Sequence, residues 1–267
     1  IARLGGTPKP TPITWKSAFI IGACLLLCGN GGVSISEQWV PSGLASLLVA
    51  TVPIYMALLG WLTGITPRPS LIVWLGLMGG FVGVGILVGP ALTNLSPGSG
   101  NHLAFGMCVL LFGSLIWSIG SLYSRKALSS PSLIMAAGQQ MICGGALLFL
   151  VGLAFGESRR FDWAKVTPLS VWAFVYLVVI GALIGYTAYF YLLRHCDPAK
   201  VATYAYINPV VAVLLGTLFA HEALPLRTIM GAALIVGSVA VVITAQQFGS
   251  KSARPVTAAA EAVDCAT

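Results

Sequence analysis

Long, unbroken apolar runs constrain this chain more than any other feature. Eight stretches, 17–35, 42–63, 70–92, 102–123, 131–155, 168–193, 200–220 and 227–247, are rich in Leu, Val, Ile, Ala and Gly and are joined by short connectors. Roughly 20 apolar residues cross the hydrocarbon core as a helix. Within hydrocarbon every backbone N–H and C=O needs an internal partner, so only helices and closed barrels can span. A barrel strand uses about 10 residues of alternating polarity, whereas these runs are continuous and far longer. The sequence therefore predicts an all-α fold, a polytopic transmembrane helix bundle with eight spans. Composition agrees, since only 8% of residues are charged and 57% are hydrophobic, where soluble domains carry about 25% charged residues.

Charge placement tests the spans independently of hydropathy. With a cytoplasmic amino terminus, one side of the bundle holds Arg3, Lys9, Lys16, Arg68, Arg125, Lys126, Arg194, Lys200, Lys251 and Arg254. The other holds only Arg159, Arg160, Lys165 and Arg227. This is a positive-inside bias, which places both ends of the chain in the cytoplasm. The net charge of +7 is then accounted for by topology and anionic headgroups, so the lipid bilayer is the partner it indicates and nucleic acid is not.

Two stretches follow one plan. Pro41 precedes residues 42–53 and then Leu58, Leu59, Gly60 and Leu62; Pro198 precedes residues 199–209 and then Leu214, Leu215, Gly216 and Leu218. In each, an apolar run is broken near its middle by a proline, Pro53 or Pro209. Internal duplication within an apolar chain is a mark of secondary transporters, whose halves rock against each other. On this reading residues 1–101 form an incomplete first repeat of three spans, 102–248 a second repeat of five, and 249–267, a Lys, Ser, Ala, Thr and Pro tail without periodicity, a disordered cytoplasmic end. Repeat symmetry leads us to expect two further helices ahead of residue 1.

The residues also carry a family resemblance. The run from Gly113 through Trp117 and Gly120 to Arg125 and Lys126 resembles the opening helix of an EamA repeat, with its Trp, small residues and closing basic pair. Val40 to Ala45, and Ala205 to Gly216 followed by His221 and Glu222, resemble the helix pairs that recur in both halves of EamA permeases. The resemblance covers most of residues 16–244. It implies the drug/metabolite transporter superfamily, a ten-helix fold of two inverted five-helix repeats, and export of small metabolites or drugs across the bacterial inner membrane.

Candidate site residues follow from depth. Pro53 and Pro209 lie about 16 Å along their helices, near the bilayer midplane. Neither donates to the carbonyl four residues back, so Val49 and Ala205 need other partners. Asn30, Thr51, Gln139, Gln140 and Asn208 supply polar groups at similar depth and should face the bundle interior. Trp117, Tyr186 and Tyr204 sit far enough in to stack on a planar solute. Tyr189, Phe190 and Tyr191 read instead as interfacial belt residues. Adjacent side chains on a helix point about 100° apart, so Gln139 and Gln140 should not reach one ligand together.

Asn30, Ser34 and Glu37 fall on one helix face that climbs toward an end of the span. Glu37 is the acidic side chain continuous with that polar face, which makes it the candidate for proton or cation coupling. No Asp, Glu, Lys, Arg or His occupies the middle of any expected span. A pathway with amide and aromatic lining and no fixed charge at depth favours a small neutral or zwitterionic solute.

Other patterns argue for packing or against chemistry. Gly76 to Gly80, Gly79 to Gly83 and Gly181 to Gly185 have small-xxx-small spacing, which we assign to packing within one bundle ahead of a homodimer. The cysteines lack histidine or carboxylate companions, so the sequence indicates no metal and no cofactor. Hydrolase, metalloprotease and phosphate-loop motifs are absent from the sequence. The function expected is secondary-active transport of small organic metabolites or drugs by alternating access. The alternatives are a non-transporting structural or regulatory subunit and an intramembrane lipid-modifying enzyme.

Overall fold

The computed structural model describes residues 9–93, 100–127, 130, 132–160, 162–220 and 226–252. Its elements are helical, and no strand occurs among the described residues. Eight rods follow in chain order: α1 (Pro12–Ser36), α2 (Ser42–Val49 and Val52–Leu62), α3 (Leu71–Thr93), α4 (Gly100–Lys126), α5 (Leu133–Ala154), α6 (Pro168–His195), α7 (Pro198–Ala202 and Tyr204–Ala220) and α8 (Leu226–Ser252). Among the described residues, six of these are long and apolar enough to cross a membrane: α1, α2, α4, α5, α6 and α8. The chain is thus a multi-pass membrane protein, as the run lengths predict. The remaining two are shorter apolar pieces. The described apolar part of α3 covers Leu71–Ile86, and α7 is split.

Helix ends explain the shifts in boundary from the sequence reading. α1 starts at Pro12 because Thr11 and Thr14 close a capping box around a first-turn proline. α6 starts in the same way, with Thr167 and Ser170 boxing Pro168. A TP-x-[TS] start therefore marks corresponding rods of the two halves. At its other end α6 runs to His195, and Asp197 then caps α7 by accepting from the Ala199 and Lys200 amides at 2.9 and 3.4 Å. The last helix continues to Ser252, past the point where the sequence reading begins the tail; residues 253–267 of that tail, like His221 and Glu222, lie outside the described residues.

Four rods are irregular, in two matched pairs. α2 is interrupted at Ala50–Thr51 and α7 at Thr203. At each interruption a threonine hydroxyl folds back onto the carbonyl three residues earlier, Thr51 Oγ1 to Leu48 O at 2.6 Å and Thr203 Oγ1 to Lys200 O at 2.7 Å. Each carbonyl also accepts a backbone amide, from Thr51 N at 3.2 Å and Thr203 N at 3.3 Å, so the hydroxyl adds a second donor and is itself satisfied within its own rod. α1 and α6 contain π-helical segments, Ala23–Asn30 and Leu177–Tyr186. Such i→i+5 segments are rare and tend to sit where function needs a side chain re-aimed.

Two of the buried clusters join most of the rods. Ala57 of α2, Val73, Leu77 and Val84 of α3, Tyr206 and Val210 of α7, and Ile235 and Val242 of α8 form one buried cluster. Gly79, Gly80 and Gly83 lie against Ser238, Tyr206 and Ile235, so this small-residue stripe of α3 packs inside the bundle. Ile21 and Leu25 of α1, Ala136 and Ala137 of α5, and Tyr186 and Phe190 of α6 form the other. The Gly181 and Gly185 stripe behaves differently: a Cβ at 181 would meet nothing and one at 185 only the Ile180 carbonyl of the same rod, among the described residues. Indeed no residue of Pro168–Tyr176 is buried, and Leu169 and Trp172 are 79% and 72% exposed. α6 touches the bundle through its last turns, where Tyr186, Phe190 and Leu193 are buried, and is mostly exposed over the rest of its length among the described residues.

Candidate functional site

All four irregular rods converge, with α4, on a two-chambered cavity. The smaller chamber, about 330 Å³, is bounded by Gly29, Asn30 and Val33 of α1 and the exposed Glu37 just past its end, Ala45, Ser46, Val49 and Val52 of α2, Gly113, Ser114 and Trp117 of α4, and Tyr204, Ala205 and Asn208 of α7. The larger, about 750 Å³, lies between α1, α5, α6 and α7 and is mostly apolar, with Leu26, Met141, Leu177, Ala182 and Leu192 on its walls. Asn30, Trp117, Tyr204 and Asn208 line both. These four side chains are therefore the partition between the chambers.

The breaks explain why this place is polar. Val49 ends the first half of α2, and Pro53 withholds the N–H that would have paired its carbonyl. Ala205 stands in the same relation to Pro209. Both Val49 and Ala205 line the smaller chamber. The π segment of α1 ends at Asn30 and that of α6 at Tyr186, so each delivers a hydrogen-bonding side chain to the cavity wall.

The candidates named from the sequence divide three ways. Asn30, Trp117, Tyr204 and Asn208 meet at the partition, Glu37 lies in the smaller chamber and Tyr186 in the larger. Pro53 and Pro209 are buried within their rods, outside both linings, and act there by removing a donor. Thr51 commits its hydroxyl to Leu48. The two glutamines part company: Gln139 Nε2 donates to Thr14 Oγ1 at 3.2 Å, while Gln140 Oε1 accepts from the Tyr186 hydroxyl at 2.8 Å. Gln140 thus supports a cavity residue from behind.

Tyr189 is a correction to the belt assignment. Its ring lies 5.6 Å from those of Trp117 and Tyr204, edge-on to the latter. It packs beside Val52, Met56 and Ala202. The Trp117 indole N–H donates to its hydroxyl at 3.0 Å, and Ser121 Oγ sits 2.8 Å from the same oxygen. Ser121 already gives its proton to the Trp117 carbonyl at 2.8 Å, so Tyr189 is the donor to Ser121. The bonds run from the Trp117 indole through Tyr189 and Ser121 back to the Trp117 backbone. Depth counted along α6 misplaces Tyr189, because α7 folds back over that end of the rod and covers it. Trp117 itself fits because Gly29 leaves room: a Cβ at 29 would fall into the indole ring.

The match to known proteins follows the two halves. The family model described as the EamA-like transporter family matches residues 1–89 and again 104–244. The chain belongs to the EamA-like transporter family. Its EamA relatives include the "Uncharacterized inner membrane transporter YedA" of Escherichia coli (strain K12), 37% identical over 216 residues, which are 78% of this chain and 64% of that protein. The "Uncharacterized transporter YvbV" of Bacillus subtilis (strain 168) is 25% identical over 232 residues, 86% of this chain and 72% of that one. The chain therefore spans just under two thirds of the length of YedA. A solved crystal structure with 21% identity superposes with a TM-score of 0.68, covering 92% of this chain and 81% of the other, and shares the fold.

Proposed function

We propose that this EamA chain contributes the solute-handling cavity of a secondary transporter in the inner membrane, moving small organic metabolites or drugs outward by alternating access, with both described ends of the chain in the cytoplasm. The observation that carries the reading is the partition of Asn30, Trp117, Tyr204 and Asn208, where irregular rods from both halves meet. Broken helices in corresponding positions of two repeats are the usual setting of a transporter's substrate site. The inner-membrane placement and the transport role are supported by the names of the relatives and by the family.

Alternating access asks the walls to reseal without orphaning polar groups. The Thr51 and Thr203 hydroxyls each bond a carbonyl of their own rod, so neither needs a partner from a neighbouring rod. Asn208, on α7 and facing both chambers, supplies an amide that a solute meets on passing from one to the other.

The test is efflux from cells expressing the chain, compared with an empty vector, over a panel of labelled metabolites and planar drugs. At least one member should leave faster. Asn208→Leu should then lower that flux by about tenfold, the equivalent of one hydrogen bond of ~1.4 kcal/mol, with the amount of protein in the membrane unchanged. Equal losses of flux and protein would assign Asn208 to packing, and no enhanced efflux of any member would end the transport reading.

A further inference from the structure

We propose that the smaller chamber has two closures exchanged between the halves: a floor of Val52 and Met56 of α2 with Ala202 of α7, shut in this structure, and a mouth of Ala45 and Ser46 of α2 with Asn208 of α7, shut in an alternate state. This rests on the alternating-access reading and names the side chains that carry it.

The two ends of the chamber differ in exposure. Toward Glu37 it is open, since Asn30, Glu37 and Asn208 along its lining are exposed. The second half of α2 leads the other way, ending beside Lys126, whose ammonium donates to the Thr63 carbonyl at 3.4 Å. At that end Val52 is 2% exposed and Met56 and Ala202 are 0%. The three form one apolar cluster, with Trp117 and Tyr189 packed against it.

The mouth is read from the duplication. α2 and α7 lie antiparallel, because the second half of α2 packs on the first half of α7 and the first half of α2 on the second half of α7. Aligning Pro53 with Pro209, and 58–60 with 214–216, pairs Val52 with Asn208 and Ser46 with Ala202. Counted from the outer prolines, Pro41 and Pro198, Ala202 falls on Ala45 instead. The groups that shut the floor therefore have copies on the opposite rods, and all three copies, Ala45, Ser46 and Asn208, line the chamber that is now open. Inverted repeats change access by rocking one half against the other about a fixed site, so a contact released at the floor is matched by its copy made at the mouth. The copy is polar where the floor is apolar: the Asn208 amide can donate to the Ser46 hydroxyl oxygen, and closure does not bury it without a partner.

The experiment is cysteine cross-linking of the full chain in lipid nanodiscs with a short bis-methanethiosulfonate reagent, read by peptide mass spectrometry so that links to native cysteines are told apart. Ser46→Cys with Asn208→Cys should link. Leu47→Cys with Asn208→Cys should link at least ten times more slowly, because Leu47 packs against buried clusters instead of lining the chamber. Val52→Cys with Ala202→Cys should link fastest, and in the variant with all four cysteines of the floor and mouth pairs, doubly linked chains should be at least ten times rarer than independent linking gives. No link between 46 and 208, an equally fast link from 47, or links that form independently would each overturn the proposal. Where a paired variant does not purify as a single species, Asn208→Cys alone carries the test: in sealed vesicles a membrane-impermeant maleimide should modify it from both faces, and modification from the Glu37 face alone would overturn the proposal. The links need no solute, so mutually exclusive links in a chain that exports nothing would end the transport reading and leave the paired closures standing. Efflux by a chain whose links form independently would do the reverse.

Discussion

Removing the Tyr189 hydroxyl isolates one link in the bond sequence at the centre of the cavity. Tyr189→Phe keeps the ring against Tyr204 and the Val52, Met56 and Ala202 cluster, and deletes only the oxygen that accepts from Trp117 and donates to Ser121. Ser121 keeps its bond to the Trp117 carbonyl, so the group left without a partner is the indole N–H. An unpaired buried donor costs about 1–3 kcal/mol. Two effects pull toward the low end: the cavity admits water to the indole, and hydrogen bonds between membrane helices measured by double-mutant cycles average ~0.6 kcal/mol with a maximum near 1.7. The expected loss on unfolding is therefore about 1 kcal/mol. The decisive measurement is a double-mutant cycle of Tyr189→Phe with Trp117→Phe, read by reversible unfolding in mixed micelles. A coupling of about 0.6–1.5 kcal/mol is expected, because Trp117→Phe already removes the donor. A coupling under about 0.3 kcal/mol would return Tyr189 to the role of an interfacial belt residue.

Other substitutions probe separate contacts. Gly29→Ala places a methyl in the Trp117 ring and should cost about 1–3 kcal/mol as overpacking; if Trp117→Ala fails to relieve the cost, that contact is not what fixes the spacing of α1 and α4. Gln140→Leu should destabilise by about 1 kcal/mol by leaving the Tyr186 hydroxyl unpaired, and pairing it with Tyr186→Phe should recover most of the loss in the same unfolding assay. Thr51→Val and Thr203→Val each delete the hydroxyl that closes an interruption. Each should lower stability by roughly 0.5–1 kcal/mol, and additive losses in the double variant would show that the two hinges act separately.

Much of this arrangement was legible before any coordinates. Run length and charge located the rods, and Pro53 and Pro209 pointed to the two interrupted ones, although α7 breaks at Thr203 and its helix runs on through Pro209. Asn30, Trp117, Tyr204 and Asn208 were reachable as mid-depth polar and aromatic groups. The π segments of α1 and α6 were not: Ala23–Asn30 and Leu177–Tyr186 contain no proline, and an i→i+5 register depends on how neighbours load the helix rather than on any residue in it. Yet the TP-x-[TS] boxes at the starts of α1 and α6 were visible, and would have paired those rods as copies. Thr51 illustrates the converse, since a mid-depth hydroxyl reads as a ligand group until its own backbone is seen to claim it.

The bareness of α6 bears on the shape of the cavity. Its 28 residues exceed the roughly 20 that cross a hydrocarbon slab, and an over-long helix tilts, kinks or locally thickens the bilayer. Held through Tyr186, Phe190 and Leu193, the rod is otherwise mostly exposed among the described residues. Because it forms one flank of the larger chamber, any change in its lean would change that chamber's width.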